Sequence, residues 1–110
     1  MAETIKVLAQ SNPSALTLTD IYTVPAGKST VVSSLVLANR STSANTTFRL
    51  SLAIGGAVDA LAQYLYYDVI LFAQDTFIAT IGVTLAATDV VRVRVNDAIV
   101  SVNVLGAEVS

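Results

Sequence analysis

Residues 16–56 read LTLTDIYTVPAGKSTVVSSLVLANRSTSANTTFRLSLAIGG, and their rhythm decides the fold. Apolar and polar side chains alternate with a period of two. The pattern resets at Pro25-Ala26-Gly27-Lys28, at the polar run 40–45 and at Gly55-Gly56. Side chains point to opposite faces along a strand, so this periodicity between turn clusters describes antiparallel β-structure. Pro25 starts a turn with its fixed φ, and Gly27 supplies positive φ.

Outward from this stretch the same reading gives about eight strands. Residues 4–10 alternate Ile5 and Val7 with Lys6 and suit an edge. The cluster Ser11-Asn12-Pro13-Ser14 ends them, because Pro13 has no N–H for a ladder. Residues 16–24 place Leu16, Leu18, Tyr22 and Val24 on one face, with Asp20 marking a bulge, an edge or a polar contact. Residues 30–39 are the most apolar, with both faces buried in the second half, and are predicted to be central. In 46–54, Phe48, Leu50, Leu52 and Ile54 point inward. The stretch 55–61 has room for one helical turn. Residues 63–70 carry Tyr64 and Tyr66 on one face, and Leu65 and Tyr67 on the other. In 76–85, Phe77, Ala79, Ile81, Val83 and Leu85 share a face, and Gly82 marks a bulge or a close approach. Residues 90–95 turn at Asn96-Asp97 into 99–109, a predicted hairpin. The expected fold is an all-β antiparallel β-sandwich of about eight strands, jelly-roll or immunoglobulin-like, as a single domain over residues 1–110.

Composition narrows the role. The chain is 54% hydrophobic and 13% charged, against roughly 45–50% and about 25% in typical soluble domains. The charge-free run 76–88 contains Thr80, Gly82 and Thr84 and falls short of the roughly 20 apolar residues of a spanning helix. No membrane partner is expected, and the first residues lack the basic start and apolar block of a signal peptide. One sandwich hides only the inner faces of its sheets, so the apolar surplus predicts a homo-oligomer or assembly subunit.

Histidine and cysteine are both absent, which removes the usual general base, thiolate nucleophile and zinc ligands. Glu3 and Glu108 are the only glutamates, far apart in sequence for a two-carboxylate glycosidase. Asp68, Asp75, Asp89 and Asp97 lie near strand ends, where Asp commonly closes turns, and they lack the spacing of a calcium loop. Ala26-Gly27-Lys28-Ser29 echoes a phosphate loop, but Tyr22 occupies the position of its first glycine. With a net charge of −2 and six Lys plus Arg, no basic nucleic-acid footprint is present. The expectation is a non-enzymatic protein with no cofactor, no metal and no nucleic-acid partner.

Tyr64, Tyr66 and Tyr67 offer rigid amphipathic contact area, and Arg40, Arg49, Arg92 and Arg94 suit bidentate contacts between chains. These seven residues are the candidate interface. Strands 4–10 and 99–109 are the candidate free edges for pairing with a partner.

The segment 21–40 (IYTVPAGKSTVVSSLVLANR) resembles one found in small virion structural proteins of tailed bacteriophages, cyanophages among them. The similarity continues in Phe48-Arg49-Leu50-Ser51-Leu52-Ala53, in Gln63-Tyr64-Leu65-Tyr66-Tyr67-Asp68 and in residues 85–93, about two thirds of the chain. The resemblance implies a virion protein made in the host cytoplasm. Its role would be a head decoration (cement) subunit contacting the major capsid protein; the alternative is a tail, baseplate or fibre component that acts as an adaptor or glycan-binding module. A trimer is expected from the resemblance alone.

Overall fold

Nine strands in two antiparallel sheets form the protein, seen in a computed structural model that describes residues 3–110. The strands are β1 (Glu3–Ser11), β2 (Thr19–Thr23), β3 (Ser29–Asn39), β4 (Thr46–Ala53), β5 (Tyr64–Leu71), β6 (Thr76–Ala79), β7 (Val83–Leu85), β8 (Val90–Val95) and β9 (Val100–Val109). The larger sheet runs β1-β9-β3-β6, with β7 also on β3, and the smaller runs β2-β8-β4-β5. β6 and β7 are one strand broken at Gly82, which takes φ +55° and donates its N–H to the Ser33 carbonyl. Only glycine adopts that conformation without cost.

The pairings nest: β1 with β9, β2 with β8, β3 with β6 and β7, β4 with β5. A long hairpin rolled into two sheets in this way is a jelly roll, which settles the choice left open by the sequence. It also corrects the expected hairpin. β8 pairs in the smaller sheet and β9 in the larger, so residues 96–99 cross between sheets. That crossing is held by Asn96 N–H to the Thr47 carbonyl and by Arg40 N–H to the Ile99 carbonyl. β9 lies between β1 and β3 and is not an edge; β1 is.

Between the sheets sit Val24, Val32, Leu35, Leu37, Phe48, Leu50, Leu71, Val91, Val93, Val95, Val100, Val102 and Val104, nearly all inaccessible to water. Each contributes roughly 1.5–3 kcal/mol on burial. β3 is central, as expected, but one-sided. Leu35 and Leu37 face the core, while Val36 faces outward opposite Ile78 and Asn103 and is half-buried. Leu16 departs from its expected face: it lies before β2 in the left-handed region, φ +58°, with its side chain exposed. At Asp20 the ladder to β8 shifts register, on an edge strand, and the carboxylate pairs with Arg92. Ile54 leaves the strand for a 3₁₀ turn, Ile54–Gly56, followed by a second at Leu61–Gln63. Among the described residues no helix is long and apolar enough to cross a membrane.

Candidate interaction surfaces

The smaller sheet gathers most of the candidate residues on its outer face, by a route that alternation does not reveal. Along β4 and β5, Phe48 opposes Val69, Leu50 opposes Tyr66, and Ser51 opposes Tyr64. Two register shifts therefore fall within the four residues Phe48 to Ser51 of β4, and Asp68 takes φ +53° in the first. Each bulge adds a residue to β5 and moves its neighbours along the strand to the other face. Tyr66 consequently turns inward, its ring 6.0 Å from Phe48 and 5.4 Å from Phe77. Tyr64 and Tyr67 come together outside, edge to face at 5.1 Å. The expected pairing of Tyr64 with Tyr66 is thus corrected, and Tyr66 packs, half-buried, against the core.

Arg49 completes this platform. Its guanidinium lies 4.0 Å from the Tyr67 ring centre and forms a fork with Asp68, at 2.7 Å from Nε and 3.2 Å from Nη2. The guanidinium holds the Asp68 carboxyl below its ordinary range, and the carboxylate raises the Arg49 pKa. Burial, followed by hydrogen bonding to Asp59, raises the Tyr64 phenol. Arg94 points to the same side and reaches Asn96 at 3.4 Å.

Arg92, next on this face, is committed to the fold. It donates to Asp20 (2.8 Å) and to the carbonyls of Ala57 (2.6 Å) and Gly56 (3.2 Å), strapping residues 54–63 onto the sheet. Asp89 anchors the same segment, accepting from Gly55 N–H at 2.8 Å and Ala86 N–H at 2.9 Å. Beneath this cover Ser51 and Ala53 are buried on the outer face, and Ser51 Oγ has no hydrogen-bond partner. Arg40 lies apart, after β3, donating to Asn12 Oδ1 at 2.8 Å. The strand-end aspartates also have protein partners: Asp97 accepts from Thr46 Oγ1 and Asp75 from Thr76 N–H. Among the described residues, no three acidic side chains converge as a metal site.

The larger sheet has an outer face that sequence reasoning did not single out. β1, β9, β3 and β6 present Ile5 and Val7, Leu105 and Ala107, Val31 and Val36, and Ile78 on it. Ile5 is 81% exposed, Ile78 60%, Val7 52% and Val31 37%. A trough of about 370 Å3 runs between Ile5 and Val7 on one side and Val31 on the other, with Leu105 and Ala107 in its floor. The signal in the sequence was Val36 and Ile78, apolar residues at positions where alternation calls for polar ones.

At one end of the sandwich the buried Glu108 joins four elements. Tyr22 OH donates to its Oε2 at 2.6 Å, Lys6 Nζ lies 3.0 Å and Lys28 Nζ 3.6 Å from its Oε1, and Thr30 Oγ1 is 2.9 Å from the Tyr22 hydroxyl. The hydrogen bond from Tyr22, then that from Lys6, holds the Glu108 carboxyl below its ordinary range. Burial, and then the bond to Glu108, pushes the Tyr22 phenol up to about 12.

Taken together, these features give a β-sandwich with an aromatic–arginine platform on one sheet and, on the outer face of the other, Ile5, Val7, Val31 and Ile78 exposed among polar neighbours. No protein-family model matches the chain, and no curated protein matches it.

Proposed function

We propose that the protein is a structural subunit of a tailed-phage particle, a capsid decoration protein that stabilises the head through subunit contacts. The observation that carries this reading is the outer face of the larger sheet. Ile5, Val7 and Val31 stand exposed around one trough, with Ile78 exposed further along the same face, as on proteins that associate. A standard interface of about 1,600 Å2, at roughly 25 cal/mol per Å2 of apolar area, is strongly favourable before entropy costs. Repetition over a symmetric shell multiplies modest contacts by avidity. The jelly roll is compatible with this role, being used by capsid and lectin domains alike. The resemblance of residues 21–40 to phage virion proteins points the same way. Self-association, with a trimer as the expected state, and contact with the major capsid protein follow from the proposal, as does a place in the virion after synthesis in the host cytoplasm.

A tail or fibre role is the second reading, favoured by the exposed Tyr67 stacked on half-buried Tyr64 beside Arg49 and Asp68. Aromatic rings with adjacent hydrogen-bonding groups suit sugar stacking. Gold-labelled protein on purified particles separates the two. Decoration predicts regular labelling of the head and loss of heat resistance when the protein is stripped off. Label confined to the tail overturns the decoration reading in favour of the second, and particles free of label contradict both.

A further inference from the structure

We infer that β1 is an exchangeable strand, which a second copy of this chain accepts onto its own β9. The inference concerns how copies join and stands independently of the virion role.

Three independent observations lead to it. First, β1 is weakly embedded. Glu3 to Val7 are exposed in succession, and only Leu8 and Ala9 pack against the core. The strand is held mainly by its ladder to β9, by Lys6 on the buried Glu108 and by Gln10 Nε2 donating to Asn103 Oδ1 at 2.8 Å. Every one of these partners belongs to β9, so each contact is reproduced unchanged on the β9 of a neighbouring copy.

Second, the connection from β1 to β2 stores strain. Leu16 adopts φ +58° although its exposed side chain gains no packing there. A bulky residue in that region is an outlier. The bend is imposed by the backbone, Leu16 N–H donating to the Val95 carbonyl at 2.7 Å and Ala15 bridging to Val95. Straightening the connection releases the strain, and short strained hinges favour exchange of the element they carry. Pro13 favours an extended backbone at Asn12, the form an open hinge takes.

Third, the reach is sufficient. Residues 12–18, fully extended, span roughly 23 Å at about 3.3 Å per residue. The sandwich measures 28 Å by 19 Å in cross-section, so a copy lying edge to edge falls within range. Exchange of an identical element is a low-cost route to association, since it creates the same contacts between chains that existed within one.

The absence of cysteine makes the test clean. Ser11 and Val102 oppose each other on the inner side of the β1–β9 ladder, whereas Val7 and Leu105 oppose each other on its outer side. Ser11→Cys and Val102→Cys proteins are prepared separately and each confirmed folded by circular dichroism. They are then mixed at high concentration in mild urea, returned to buffer and oxidised. Exchange predicts a disulfide between position 11 of one variant and position 102 of the other, identified by peptide mass spectrometry. Introducing Leu16→Gly into both should relieve the hinge and lower the yield of linked dimer roughly fivefold or more. A parallel mixture of Val7→Cys and Leu105→Cys is linked by exchange and also by stacking of outer faces, so linkage there alone marks stacking. Linkage in that mixture without linkage between positions 11 and 102 overturns the inference, as does the absence of any mixed disulfide.

Discussion

Leu35 and Val36 are neighbours on the central strand of the larger sheet, and the structure assigns them opposite fates on mutation. Leu35 is fully buried between Ala79 and Val104, while Val36 looks outward between Ile78 and Asn103. Truncating a buried leucine costs about 2–5 kcal/mol through lost transfer energy and the cavity left behind. A domain of 110 residues has a total stability of roughly 5–15 kcal/mol. Leu35→Ala should therefore lower the melting temperature by roughly 8–20 °C, at about 4 °C per kcal/mol. Val36→Ala should cost about 1 kcal/mol or less. Aspartate sharpens the contrast. Leu35→Asp places an unpaired charge in a dry core, a penalty of several kcal/mol added to the lost burial, and the chain should not fold. Val36→Asp keeps its carboxylate in reach of water and should yield folded protein, where reading residues 30–39 as buried on both faces expects it to unfold. Thermal melts followed by circular dichroism, with amide NMR spectra for the aspartate variants, decide the matter. Unfolded Val36→Asp, or equal melting temperatures for the two alanine variants, would refute the assignment of faces.

Four further outcomes rest on the geometry. Tyr66→Ala should cost about 3–4 kcal/mol, because its ring packs on Phe48 and Phe77, whereas Tyr67→Ala should stay within about 1 kcal/mol; urea titrations of both give the comparison. Gly106→Ala should destabilise by about 1–3 kcal/mol or more, since a Cβ there runs into the Val31 carbonyl oxygen, and equal urea midpoints for variant and wild type would contradict that contact. Glu108 has a folded pKa below its ordinary 4.5, so its contribution is present above that value and is lost as pH falls through the folded pKa. Glu108→Gln should flatten this acid loss in urea midpoints measured from pH 6 to 3. Conversely, the Tyr22 phenol is raised from 10.0 to about 12. The stability it contributes is fully present below pH 10 and is lost as pH rises through 12; absorbance at 295 nm should show a late ionisation that Tyr22→Phe removes.

How far the sequence carried this account is clearest strand by strand. β4 and β8 stood where period-two alternation put them, because Phe48, Leu50 and Leu52 on β4 and Val91, Val93 and Val95 on β8 face the core in strict succession; β3 is central as expected, but a bulge between Val32 and Ser34 breaks its alternation. The inward face of residues 76–85 held as well, and Gly82 did mark an irregularity, although the strand breaks there into β6 and β7. Alternation failed at β5. Two extra residues, one opposite Arg49 and one between Leu50 and Ser51, part Tyr64 from Tyr66 and set it beside Tyr67, and a bulge is a property of the pair of strands rather than of one. For the same reason the contact of Tyr22 with Glu108, separated by 86 positions, could not be read locally. The predicted hairpin after Val95 failed because local turn chemistry fixes a reversal of direction, while the choice of sheet depends on which edges remain open. Of the candidate interface, Arg49, Tyr64 and Tyr67 are brought together, Arg94 lies on the same face, and Arg92 is spent on holding residues 54–63. Arg40 sits elsewhere and Tyr66 is inside.

The central claim is that the uncovered outer face of the larger sheet is where this molecule meets its companions. Sedimentation velocity of wild-type protein and of Ile78→Asp, alone and with particles stripped of the protein, tests it most directly, because Ile78 lies on β6, away from the β1 strand. The account predicts oligomers and particle-bound material for the wild type, and a folded Ile78→Asp protein that no longer binds the particles while its copies still join through β1. Wild-type protein that sediments as single chains at high concentration and ignores the particles would contradict it.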